Sequence, residues 1–130
     1  MDTKSPLLTL ALTALGACAA SAPPDTLPRL RDAIQTEVRS PAQNAEHSRL
    51  AKLASADKLL HGLTREEVEE RLGKGELCTQ HPVCRERGFY QNDLYYEVGK
   101  PGTYVRYRPS LIVGFDDWGK VGRTFVLEVR

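Results

Sequence analysis

GLTREEVEERLG, Gly62 to Gly73, carries the punctuation of one short helix, and the rest of the chain is read outward from it. Thr64 is placed as N-cap, its hydroxyl accepting a backbone N–H that has no partner inside the helix. Glu67 has the spacing to reach back to the Thr64 N–H and close a capping box, and Leu63 with Val68 has the spacing of a hydrophobic staple. Glu66 and Glu67 lie near the positive end of the helix dipole and Arg71 near the negative end. Gly73 follows Leu72 as a left-handed stop. The apolar stripe, Val68 and Leu72, is narrow, and so short a helix does not stand alone in water. It has to dock, and strand-like segments downstream offer the surface.

Those segments begin at Asp93–Val98, where Leu94, Tyr96 and Val98 alternate with Tyr95 and Glu97. Gly99 to Gly102 reads as a turn, and Pro109 interrupts any strand over Thr103–Arg108. Ser110–Asp116 places Leu111, Val113 and Phe115 on one face. Asp116 to Lys120 reads as a hairpin connection, and Val121–Val129 follows with Phe125, Leu127 and Val129 on one face. Short turns make these strands antiparallel neighbours. Upstream, Leu27, Leu30, Ile34 and Val38 predict a helix over Asp25–Arg39, with either a stripe that packs on the domain or a partner-binding or membrane-lying face. Ser40–His47 reads as a polar linker, Ser48–His61 as a second helix, and Lys74–Asn92 as mostly loop. The expected fold is α+β with two layers, a helix pair on a small sheet of about three antiparallel strands.

With 130 residues and a net charge of +1, the chain suits one domain and carries no excess of cations to neutralise phosphates, so no nucleic-acid partner is expected. Lys4 precedes the mostly apolar run Leu7–Ala17, which has the character of a signal peptide and ends in Leu15-Gly16-Ala17-Cys18. That ending resembles the lipobox of bacterial lipoproteins, in which the cysteine is diacylated and becomes the mature N-terminus. The competing reading is cleavage after Ala20-Ser21-Ala22, with Pro23 unfavourably placed after the cut. The cysteines are Cys18, Cys78 and Cys84, and lipidation of Cys18 leaves an even pair. Ala19 after the cysteine, in place of Asp, resembles lipoproteins bound for the outer membrane.

The order Gly62-Leu63-Thr64, Glu67-Val68, Leu72-Gly73, then Leu94-Tyr95-Tyr96, then Val113-Gly114-Phe115-Asp116 and Gly119-Lys120-Val121 resembles the BamE (SmpA/OmlA) outer-membrane lipoproteins. Their wider superfamily includes the β-lactamase inhibitory protein. The chain departs from the family pattern at Lys74-Gly75, where a Pro is usual, and at Leu94, where a Trp is common. The resulting organisation is a signal peptide over 1–17, a tether over 18–24 from lipidated Cys18, an additional helix and linker over 25–47, and a BamE-like domain over 48–130. Gly62, Thr64, Glu67, Val68, Leu72 and Gly73 are then structural signature residues. The resemblance implies a non-catalytic, lipid-anchored envelope protein facing the periplasm. It would organise or stabilise an outer-membrane complex, with the β-barrel assembly machine as one partner. The alternative is a binding or inhibitory module directed at a periplasmic or secreted enzyme.

Candidate chemistry is sparse. Cys78-Thr79-Gln80-His81-Pro82-Val83-Cys84 permits a disulfide, a metal site with His61 as fourth ligand, or free thiols; an exported chain favours the disulfide. His47, His61 and His81 do not group in sequence, and Asp116-Asp117 has the chemistry of a turn. The expectation is therefore no enzyme, no cofactor, no metal and no small-molecule substrate. Tyr95, Tyr104, Tyr107 and Trp118, near Arg85, Arg87, Arg106 and Arg108, have the composition of an interface and are expected at a partner surface.

Overall fold

A computed structural model describes residues 21–103 and 105–128. The expected lipidation of Cys18 and the expected surface role of Tyr104 lie outside the described residues. The elements are α1 (Thr26–Gln35), α2 (Pro41–Ala56), α3 (Arg65–Leu72), β1 (Glu76–Leu77), α4 (Pro82–Glu86), β2 (Leu94–Glu97), β3 (Ser110–Phe115) and β4 (Val121–Leu127). The fold is α+β, with helices packed on a small antiparallel sheet of four strands in the order β1-β2-β3-β4.

The capping signals work as their spacing requires. The Thr64 hydroxyl accepts from the Glu67 N–H at 3.2 Å, and Glu67 Oε1 accepts from the Thr64 N–H at 3.0 Å. Gly73 ends the helix at φ 88°. Just before the cap, the Gly62 N–H donates to the Val121 carbonyl at 2.9 Å and the Val121 N–H donates to the Leu63 carbonyl at 2.8 Å. This reciprocal pair joins the entry of α3 to the start of β4, so the helix cannot rotate away from the sheet. Thr64 holds the Glu67 carboxyl below its ordinary value of 4.5, chiefly through the backbone N–H. The depressed value means the box is fully formed above the ordinary carboxylate range and is lost as pH falls through the folded value. A carbon-detected NMR titration is expected to place the Glu67 midpoint below the ordinary glutamate value, and Thr64→Ala is expected to raise it back. A Glu67 midpoint that Thr64→Ala leaves unmoved would refute the box.

One core lies between the helices and the sheet, built from Leu30, Leu50, Val68, Leu72, Leu94 and Leu111 with smaller neighbours. Thus α1 is part of the main core and is not an appended arm. Tyr96 also faces this core, its hydroxyl donating to the Gly73 carbonyl at 2.8 Å. Burial pushes its phenol well above the ordinary tyrosine value. A Cβ on Gly75 would lie 2.8 Å from the Tyr96 ring, which explains a glycine just after the stop of α3.

Several expectations change. Residues 41–47 are the first half of α2, because the Ser40 hydroxyl at the N-cap accepts from the Gln43 N–H at 3.1 Å and Pro41 fits the first turn, where no N–H is needed. The second helix ends at Ala56, before the expected His61. The loop over 74–92 contains β1 and α4. At Gly114/Phe115 the β3–β4 register shifts, so Val126 packs on the main core while Phe125 faces the opposite side of the sheet.

That opposite side is covered too. Cys78, Cys84, Phe89, Tyr95 and Ile112 form a second, smaller core. Cys78 and Cys84 are joined by a disulfide across a sequence separation of 6 residues. Closing so short a loop is worth about 2–3 kcal/mol. A Cys78→Ala, Cys84→Ala double variant is expected to lose that much in urea unfolding, and an unchanged midpoint would count against the bond.

Candidate functional site

No helix among the described residues is long and apolar enough to cross a membrane. Nor do three or more His, Cys, Asp or Glu side chains gather there as a metal site. Cys78 and Cys84 spend their sulfurs on each other, which removes the alternative Cys–His metal centre. Two exposed features stand out as the candidate site.

The first is the β3–β4 turn. Asp116 Oδ1 accepts from the Trp118 N–H at 2.9 Å and from the Lys120 N–H at 3.0 Å, while Gly119 takes φ 75°. Asp116 is thus a turn residue, as its position in the sequence suggests. The turn holds Trp118 with 83 % of its surface exposed. The backbone that carries this aromatic is ordered in advance, which lowers the cost of binding.

The second part is an open cleft of about 820 Å³ in the disulfide loop, with His81, Arg85, Phe89, Tyr90 and Asn92 among its lining. Asp93 shapes it from beneath. Its Oδ2 accepts from the Tyr90 N–H at 2.9 Å and its Oδ1 from the Phe115 N–H at 3.1 Å, while its carbonyl accepts from the Cys78 N–H at 2.9 Å. One buried carboxylate so ties the cleft loop to the end of β3. Beside it, His81 stacks on Tyr95 with ring centroids 3.7 Å apart, and its Nε2 lies 2.9 Å from Glu76 Oε2.

The expected aromatic partner surface is divided. Trp118 and Tyr107 are exposed, but they sit in separate loops. Tyr95 is only 7 % exposed, and its hydroxyl shares a 2.6 Å hydrogen bond with Ser110. Burial raises its phenol above the ordinary value, against the opposing pull of that bond. Tyr95 therefore leaves the expected surface for the second core. The alternation in its strand is correct, but the face it turns outward is roofed by the disulfide loop. Tyr90, 70 % exposed, takes its place at the cleft rim. Asp93 carries no motif in sequence; its Asp-after-Asn position before a strand is the only local signal. The signature residues Gly62, Thr64, Glu67, Val68, Leu72 and Gly73 all serve the capped helix and its docking, and none lines the cleft. Comparison of the chain with protein families, with curated proteins and with solved structures brings no match.

Proposed function

We propose that the chain is a non-catalytic, lipid-anchored envelope protein that organises or stabilises an outer-membrane protein complex from the periplasmic side. The β-barrel assembly machine is the first candidate partner. On this reading Cys18 carries the lipid and the chain from Ala19 onward leads to the domain. The observation that carries the reading is Trp118, displayed on a turn that Asp116 makes rigid. Tryptophan on a pre-ordered support is the composition and geometry of an interface anchor. The resemblance of Gly62–Gly73 and of the hairpin to the BamE lipoproteins supports the choice of partner class.

The test is brief cross-linking followed by affinity purification from detergent-solubilised membranes. The native chain is expected in the membrane fraction with a stable partner. Trp118→Ala is expected to weaken that association by about thirtyfold, the loss of a 2 kcal/mol anchor. Cys18→Ser is expected to release the chain into the soluble fraction. A soluble native chain that binds a periplasmic enzyme tightly would replace this reading with the inhibitory one. Turnover that depends on His81 would overturn the non-catalytic assignment.

A further inference from the structure

Some described arginines are held in ion pairs; of those that are not, Arg31, Arg71 and Arg106 lie away from the disulfide loop and the rest stand around it. Arg29 and Arg49 pair with Glu46, Arg39 with Glu37 and Arg108 with Glu97. Arg65, Arg85, Arg87 and Arg123 make no ion pair among the described residues; of these Arg85 alone lines the cleft, while Arg65 and Arg123 reach the carbonyls of cleft residues from outside it and Arg87 stands at the C-cap of α4 beside it. Arg123 lies 4.1 Å over the Phe89 ring and donates to the Gly88 carbonyl. Arg65 lies 4.7 Å over Phe115 and donates to the Asn92 carbonyl. Arg87 lies 5.0 Å over Phe125, and Arg85 lines the cleft itself. Two nearby carboxylates are engaged elsewhere, Glu76 by His81 and Asp93 by backbone N–H groups, which leaves Glu86, between Arg85 and Arg87 in sequence, against these arginines.

From this we infer that the cleft of the disulfide loop receives a carboxylate-rich segment of a partner protein; the inference rests on the reading that the chain binds a protein. The Phe rings beneath Arg65, Arg87 and Arg123 hold these guanidinium groups in place before any partner arrives. A guanidinium has five N–H donors, and one that gives a single bond to a carbonyl keeps the rest for an acceptor. Carboxylate matches that fork with paired, charge-assisted bonds. Tyr90 and the exposed Leu77 add apolar contact beside the cations, the mixture found at the centres of protein interfaces. Phosphate would satisfy the same donors, but a bilayer presents it in a plane, and the floor between Cys78 and Asn92 is concave. The disulfide keeps that floor in shape.

The test uses the full chain and fluorescein-labelled deca-glutamate as the probe, read by anisotropy, with deca-lysine and phosphatidylglycerol vesicles as comparisons. Binding of deca-glutamate that weakens as salt rises is expected, with no binding of deca-lysine. Arg85→Glu is expected to reduce affinity by about tenfold or more, and Arg49→Glu on α2, across the sheet, to leave it within about twofold. Should Arg85→Glu disturb the circular dichroism spectrum, Arg85→Gln takes its place, with a smaller loss expected. Equal losses at Arg85 and Arg49, or binding of vesicles without deca-glutamate, would overturn the inference. The cross-linking experiment separates the two claims. A membrane partner recovered undiminished with Arg85→Glu removes the cleft as its site and leaves the envelope role standing. Deca-glutamate binding by a native chain that brings no membrane partner does the reverse.

Discussion

Asp93→Ala is expected to remove about 3–5 kcal/mol of stability, a large part of the total for a domain of this size. The side chain is 1 % exposed and accepts two backbone hydrogen bonds from segments far apart in sequence, Tyr90 in the cleft loop and Phe115 at the end of β3. Removing it takes the acceptor from both N–H groups in part-buried positions, and each left without a partner costs about 1–3 kcal/mol. Asn at the same position is the informative comparison. Its amide offers one oxygen and one NH2 group, so one of the two N–H groups would meet a donor. Asp93→Asn should therefore fall between the native chain and Asp93→Ala in urea unfolding. Asp93→Ala should also loosen the cleft first, seen as faster hydrogen exchange at Tyr90 and Phe115. A stability change under about 1 kcal/mol for Asp93→Ala would mean that water replaces the carboxylate and that the cleft is held by the disulfide alone.

How much of this was legible in the sequence depends on the range of the interaction. The α3 cap was legible because Thr64, Glu67 and Gly73 act on backbone groups within one or two turns, so composition and spacing carry the geometry. The β3–β4 hairpin was legible for the same reason, through Asp116 and Gly119. The start of α2 was present in Ser40, Pro41 and Gln43, yet its polar first half has no apolar stripe to announce a helix. β1 is too short for a period to form. Tyr95 marks the deeper limit. Alternation says which residues leave the core face, but not what covers the opposite face, and that cover comes from Cys78, Cys84 and Phe89 through tertiary packing. Asp93 was illegible because both its partners are set by the fold. The unpaired arginines were visible as residues, but their lack of carboxylate partners becomes apparent only once Glu37, Glu46 and Glu97 are seen to serve other arginines.

Leu30→Ala is expected to cost about 3 kcal/mol, as much as a truncation in the sheet itself, because Leu30 is 0 % exposed and belongs to the main core. The size matters less than the way the loss is distributed. A sequence reading that separates residues 25–47 from the domain predicts that α1 melts alone and leaves the sheet intact. The packing argues otherwise. Leu30 and Ala33 lie in the same cluster as Val68, Leu94 and Leu111, so a cavity at Leu30 weakens the contacts of α3 and the central strands together. Two further ties restrain this end of the chain: the Val38 N–H donates to the Lys100 carbonyl at 3.1 Å, and the Lys100 N–H donates to the Thr36 carbonyl at 2.9 Å. Leu30→Ala should therefore shift a single unfolding transition, with helical circular dichroism and Trp118-independent tyrosine fluorescence moving together. Loss of helical signal ahead of the tyrosine signal would show that α1 is an appended element. The outcome bears on function. A helix whose apolar face completes the core has that face spent, and on the proposed reading the partner contacts fall to the Trp118 turn and the cleft of the disulfide loop.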